Sequence, residues 1–179
     1  MKSIDNMSTQ FNVLQLDCHL ADEAELKAAC GNAHECWGEG HSFEEYVDWR
    51  MQSAQHSRAS WYVGCLDYRV VTAMGSYPIV LRAGGHPCPG YGIGGVHTLP
   101  KFRRRGYAAK LLNWVLQKQL NAGTKFGLLY SDIKPKYYTE MGYRLCESYY
   151  AWALPRCGTE QAKGTWIESF EPGESVGAL

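Results

Sequence analysis

Apolar positions along the chain change period several times, and each change marks an element. Asn12 to Leu16 alternates like a short strand. From Asp22 the period becomes helical, with Leu26, Ala29, Cys30, Ala33 and Trp37 on one face and Asp22 and Glu25 spaced as a capping box. Gly38-Glu39-Gly40 breaks that pattern. Ser42 and Glu45 repeat the capping spacing, and Phe43, Tyr46, Val47, Arg50 and Met51 carry a second helix. Trp61 to Leu66 and Val70 to Leu81 read as strands joined by a tight turn at Asp67-Tyr68-Arg69. Arg82 to Gly90, with its Gly, Pro, His and Cys, reads as a loop, and Tyr91 to Thr98 as the next strand.

Ala108, Leu111, Leu112, Val115, Leu116 and Leu120 then form one helical apolar stripe, which Gly123 stops. Phe126 to Ser131 is almost wholly apolar, as a central strand is. Pro135 opens a short helix through Tyr137, Tyr138 and Met141 that Gly142 ends, and Arg144 to Leu154 returns as a strand. The order β-α-α-β-β-β-α-β-α-β predicts a mixed α/β sheet with a βαβ unit in its second half. Beyond Pro155 the periodicity fades; residues 155–179 read as a terminal strand, a wrapping tail, or the lead into a further domain.

Composition narrows the function more than the fold. The chain of 179 residues is long enough for one well-filled core. Lys+Arg and Asp+Glu both total 18, so charge gives no reason to expect nucleic acid or a membrane surface as partner. No apolar run is long enough to span a bilayer, and the first residues lack the apolar core of a signal peptide, so the chain reads as cytoplasmic. Seven irregularly spaced cysteines without a C-x-x-C make a poor disulfide framework. Cys30, His34, Cys36 and His41 match no standard zinc spacing, and no metal is expected.

The chemistry concentrates after the Tyr91 to Thr98 strand. Gly94 and Gly95 suit a bulge or a close ligand approach. The strand ends Val96-His97-Thr98-Leu99-Pro100, and Arg103-Arg104-Arg105-Gly106-Tyr107-Ala108 leads straight into the long helix. A basic, glycine-containing loop opening a helix offers amides and a helix dipole to a phosphate. Arg103, Gly106 and Ala108 fit the pattern Q/R-x-x-G-x-G/A, and Tyr137 to Tyr143 fits F/L-Y-x-x-x-G-F/Y with Tyr138 at its tyrosine. Together these segments resemble the GCN5-related N-acetyltransferase (GNAT) superfamily, and their wording is nearest the lysine N-acetyltransferase and Eis-like branch.

The resemblance implies a mixed, mostly antiparallel central sheet flanked by helices, with a splayed βαβ cofactor cleft. It places an acetyltransferase domain over residues 1–154. It implies acetyl-CoA as co-substrate, held by Val96, His97 and Thr98 along the pantetheine and by Arg103, Arg104, Arg105, Gly106, Tyr107 and Ala108 at the pyrophosphate. The Val96 amide becomes a donor to the thioester carbonyl, and Tyr138 the acid that protonates the departing thiolate. Ser131 or Asp132 either faces the acceptor or caps the following helix. No carboxylate stands in Tyr91 to Thr98 to act as base, and His97 is one substitute among several.

The acceptor, a small-molecule or peptide amine, is expected between the two early helices and the Arg82 to Gly90 loop, with Trp37, Glu39, His41, Glu44 and Tyr46 as its aromatic and acidic lining. A homodimer is left open. Two alternatives stay beside transfer of an acetyl group to a primary amine in a ternary complex: a non-catalytic acyl-CoA-binding regulatory module, and transfer of a longer acyl group.

Overall fold

Five strands form one sheet in chain order. β1 (Asp17–Leu20), β2 (Ser60–Leu66), β3 (Arg69–Ala83) and β4 (His86–Thr98) pair antiparallel, and β5 (Phe126–Leu129) joins β4 in parallel. Helices α1 (Glu23–Trp37), α2 (Phe43–Gln52) and α3 (Ala54–Ser57) lie between β1 and β2. Helix α4 (Tyr107–Asn121) is the crossover from β4 to β5, and α5 (Lys136–Thr139) follows β5. The computed structural model describes residues 15–131 and 133–146. The expectations for positions 12–14, for Asp132, for 147–154 and for the 155–179 tail lie outside these residues. Among the described residues no helix is long and apolar enough to cross a membrane.

Both capping boxes form. The Asp22 carboxylate accepts from the Glu25 amide at 2.8 Å while the Glu25 carboxylate accepts from the Asp22 amide at 3.0 Å. Ser42 and Glu45 exchange the same pair of bonds at 3.3 and 2.9 Å. Each box satisfies amides that a helix start otherwise leaves open, a contribution of about 1 kcal/mol. The apolar stripe of α4 packs as its period predicts: Leu111, Leu112 and Val115, each at most 2% exposed, close over Tyr62, Met74, Tyr91 and Ile93. Each such side chain gains about 1.5–3 kcal/mol on burial. Strand alternation sends the intervening residues to the other face, where Val63, Cys65, Val70 and Ala73 pack with Ala29 of α1.

Four stretches differ from the sequence pattern. The first strand is Asp17–Leu20; Leu16 precedes it and is buried with Leu66 and Val71, while polar His19 in the strand reaches Glu25 of α1 at 2.7 Å. The Arg82 to Gly90 segment is no loop: β3 and β4 run on to a two-residue turn at Gly84 and Gly85, φ +57 and +80. Its prolines misled the reading. The Pro89 carbonyl accepts from the Lys125 amide, so its nitrogen faces away from β3 as well and the missing N–H costs the hairpin nothing. Finally, β5 ends at Leu129, short of Ser131, and residues 144–146 carry no strand.

Candidate active site

Pairing between β4 and β5 stops at Ile93 and Leu129, and the two strands then part. On the other side of β4, Ala73 faces His97 but Gly75 faces Gly94, so Gly95 and Val96 together oppose Met74. This is a β-bulge, with Gly95 in the left-handed region at φ +59. A Cβ there would stand 2.8 Å from the Trp61 ring. The opening is a cleft of about 730 Å³, whose walls are residues 93–98 of β4, the loop into α4, Leu129 to Ser131, and Tyr137 and Tyr138. The far end of β4 is pinned by a hydroxyl chain: Thr98 Oγ1 donates to Thr72 Oγ1 at 2.9 Å, and Thr72 donates to the His97 carbonyl at 2.8 Å.

The loop at one end of this cleft is built to leave amides free. Pro100–Phe102 forms a 3-10 turn, Arg104 then takes φ +60, and Gly106 takes φ +77 as the N-cap of α4. The first intrahelical bond runs from the Lys110 amide to the Gly106 carbonyl at 2.9 Å. The amides of Tyr107, Ala108 and Ala109 therefore precede any i→i−4 partner, and no side chain caps them. Helices α1 and α2 end this need with acidic capping boxes; α4 has no acidic residue in its first turn. That donor set suits an anion.

The three arginines divide. Arg104 lines the cleft. Arg103 also borders it, but its guanidinium donates to the Thr98 carbonyl at 2.9 Å and reaches Cys36 Sγ at 3.3 Å, locking the loop to β4 and α1. Arg105 lies over the Phe102 ring at 5.8 Å, outside the lining.

Val96 packs towards α4, whereas His97 turns to the opposite face, its ring 6.1 Å from Trp37. His97 is 7% exposed; Nδ1 lies 3.1 Å from the Gly95 carbonyl and Nε2 has no partner. Burial pulls its pKa below the ordinary imidazole value, with Arg50 and Arg103 adding to the effect. Tyr138 faces the cleft from α5, held edge-on between Tyr137 at 5.1 Å and Tyr143 at 5.8 Å. Ser131 also lines the cleft, and its hydroxyl accepts from the Ile133 amide at 3.2 Å, a local turn bond.

A second cleft of about 560 Å³ adjoins the first and shares Trp37, Ile93 to Gly95, Leu129 and Tyr130 with it. Trp37 and Glu39 line it, together with Trp49, Arg50, His56 and Tyr77. His41 stacks on Trp49 at 6.3 Å and borders neither cleft. Glu44 is exposed and Tyr46 fully buried, and neither borders the cleft. The Arg82 to Gly90 hairpin contributes nothing to it either, because those residues extend the sheet beyond the site. Sequence reasoning missed Arg50 and His56. Arg50 reads as one more position of a helical pattern, and α3, which carries His56, is too short to leave a periodic signal.

Among the described cysteines Cys36 alone lines a cleft, the first, with its sulfur within reach of the Arg103 guanidinium. The six described cysteines are free, and burial raises the thiol pKa of Cys18, Cys30 and Cys65, the last to about 11. His19, Glu25 and Cys65 come together within 4.8 Å on the α1 side, where the Glu25 carboxylate serves both neighbours.

A family model for the acetyltransferase (GNAT) domain matches residues 17–146. Curated protein sequences give no match. Among solved structures, a transcriptional regulator from Bacillus halodurans C-125 is 15% identical with a TM-score of 0.62, covering 78% of this chain and 100% of that one. The aminoglycoside acetyltransferase AAC(6')-Iy, solved with the bisubstrate analog CoA-S-monomethyl-acetylneamine, is 16% identical with a TM-score of 0.60, over 79% and 99%. A predicted acetyltransferase with acetyl-CoA from Clostridium acetobutylicum is 11% identical with a TM-score of 0.59, over 78% and 97%. At these identities the structures show a shared fold. The parted strands, the uncapped α4 and a domain match spanning most of the chain lead to one family: the chain belongs to the GNAT acetyltransferases, enzymes that use acetyl-CoA to acylate an acceptor.

Proposed function

We propose that the protein moves the acetyl group of acetyl-CoA onto a primary amine by direct attack, with both substrates bound at once. The observation that carries this reading is the meeting of two clefts at residues 93–95 of β4: one leads to the uncapped start of α4, the other to an aromatic chamber beneath α2. In this reading the amides of Tyr107 to Ala109 and the Arg104 side chain hold the pyrophosphate. The unpaired backbone edge of Gly94 to Thr98 takes the pantetheine as an added strand, as extended ligands bind exposed edges. The thioester then lies at the bulge, where the Val96 amide is a candidate donor to the carbonyl oxygen.

The amine must arrive uncharged, since only its lone pair can attack. As the new C–N bond forms and the C–S bond breaks, the electron pair leaves on sulfur. Tyr138 donates the proton that converts thiolate to thiol. A thiolate whose conjugate acid has a pKa of about 8.5 is already a fair leaving group, so the acid eases departure rather than making it feasible.

The test is thiol release from acetyl-CoA, measured with purified protein across a panel of primary amines. Amine-stimulated release with stoichiometric N-acetyl product supports the proposal. Acetyl-CoA binding without stimulated release from any amine overturns it in favour of a non-catalytic binder. A preference for longer acyl-CoA donors over acetyl-CoA would replace the acetyl assignment.

A further inference from the structure

Arg50, in the last turn of α2, lies inside an aromatic cage. Its guanidinium carbon lies 5.9 Å from the Trp37 ring centre, 5.6 Å from Tyr46 and 5.9 Å from Trp49. Among the described residues no carboxylate pairs with it, since the three ion pairs involve His19 and Lys136. Among those residues its Nε also finds no hydrogen-bond acceptor, and it is buried. Aromatic faces partly offset a cation's lost hydration, but they leave an N–H donor unanswered. A buried donor without a partner is rare enough in a native fold to call for an external one.

A second group points the same way. His56, 7% exposed, borders the same cleft, and its Nδ1 also lacks a partner. Burial and the nearby Arg50 charge hold its pKa down to about 4, so at neutral pH it is an uncharged hydrogen-bonding group beside the cation. Apart from Gln55 and Glu39, the remaining lining is apolar or aromatic, with Tyr77, Ile79 and Leu128 among it. Among the described residues Glu39 is the one carboxylate lining this cleft, and it is exposed. A polyamine or another multiply cationic acceptor would meet Arg50 as a like charge.

We propose that Arg50 anchors a carboxylate of the acceptor, so that the amine acetylated here belongs to the amino-acid class: a compact primary amine that also bears a carboxylate, with an apolar or aromatic body. One guanidinium and one neutral imidazole match a single negative charge, which an arginine fork takes in two parallel bonds. Trp37, common to both clefts, sets this anchor beside the bulge where the first cleft ends. The assignment deepens the acetyltransferase reading and rests on it for the identity of the second substrate.

The experiment measures binding and turnover separately. Matched pairs are offered to the protein saturated with CoA: phenylalanine against 2-phenylethylamine, tryptophan against tryptamine, alanine against ethylamine. Calorimetry is expected to show the carboxylate member of at least one pair binding about 10–100-fold tighter, the range of a charge-assisted hydrogen bond. Arg50→Gln should bring that ratio to within about twofold, and Arg50→Lys should keep part of it. CoA binding by each variant reports that it has folded. Should Arg50→Gln not fold, the wild-type ratios and Arg50→Lys still decide. Equal or undetectable binding of both members in every pair overturns the anchor, as does a ratio that survives in Arg50→Gln. Absence of thiol release with every amine, alongside an intact carboxylate preference, would instead overturn the acetyltransferase reading and leave the anchor standing. A peptide with a free C-terminus preferred over the free amino acids would identify the source of the carboxylate as a chain end.

Discussion

Replacing Gly95 by alanine tests the geometry on which both clefts depend. Two independent costs add. A non-glycine residue held at φ +59 loses about 1–2 kcal/mol to the clash of its Cβ with the backbone. The same Cβ would stand 2.8 and 3.2 Å from two atoms of the Trp61 ring. That ring cannot retreat freely: it is 5% exposed, its indole N–H donates to the His56 carbonyl at 3.1 Å, and it stacks on His56 at 5.3 Å. Overpacking of this kind costs about 1–3 kcal/mol, so the total is about 2–5 kcal/mol. Gly84→Ala is the matched control. Gly84 has nearly the same φ, +57, but nothing within 4 Å of its Cβ position, so it carries the backbone cost alone. Urea unfolding of both variants, read from midpoints at unchanged slope, isolates the ring clash by difference. If the two substitutions cost the same to within about 0.5 kcal/mol, the bulge is not packed against Trp61 as described.

Three other outcomes follow from the same geometry. Tyr138→Phe should lower kcat by about 100-fold, near the bottom of the range for a lost general acid, with acetyl-CoA affinity unchanged in calorimetry; an unaltered kcat removes Tyr138 from the proposed mechanism. Gly106→Ala meets no neighbour within 4 Å, so beyond a backbone cost of about 1–2 kcal/mol its effect should fall on the ligand, weakening acetyl-CoA about tenfold or more. His56, whose pKa falls from 6.5 to about 4 on folding, binds fewer protons folded than unfolded between those values. Stability is therefore whole above about pH 6.5 and is lost as pH falls towards 4, by up to about 3 kcal/mol and nearer 2 where water enters the cleft. His97, also depressed, adds in the same direction, and His56→Asn should flatten the pH profile of the thermal midpoint.

What was legible in the chain was what is decided locally. A capping box is complete within four residues, so Asp22 with Glu25 and Ser42 with Glu45 could be read directly. The stripe of α4 repeats often enough to declare its face, and the loop before it carries its glycine at the position the helix start requires. The hairpin beyond Arg82 failed because composition is a poor witness where a strand edge is open; Pro87 and Pro89 are excluded only from edges that must donate. The chemistry of Arg50 was hidden for another reason. Its meaning comes from the absence of a carboxylate partner among the described residues, and no one-dimensional pattern records a missing partner.

The spacing of glycines before the bulge acquires a cause that pattern reading alone does not supply. Tyr91 and Ile93 point towards α4 and belong to its core, so Gly90, Gly92 and Gly94 occupy the opposite face. That face is the floor of the second cleft, which Gly92 and Gly94 line, and Tyr77 of β3 leans across it to within 3.1 Å of where a Gly94 Cβ would stand. Side chains at these positions would fill the chamber below Arg50. Gly95, the extra residue of the bulge, stands outside the alternation, so Val96 follows Gly94 in phase on the α4 side and His97 on the opposite face, beside Trp37. One strand thus lines two clefts, with Val96 on the α4 side and Gly92 and Gly94 on the other. Deleting Gly95 would remove the bulge and leave that alternation intact, since Val96 alone would then oppose Met74 while His97 keeps Ala73 and Thr98 keeps Thr72.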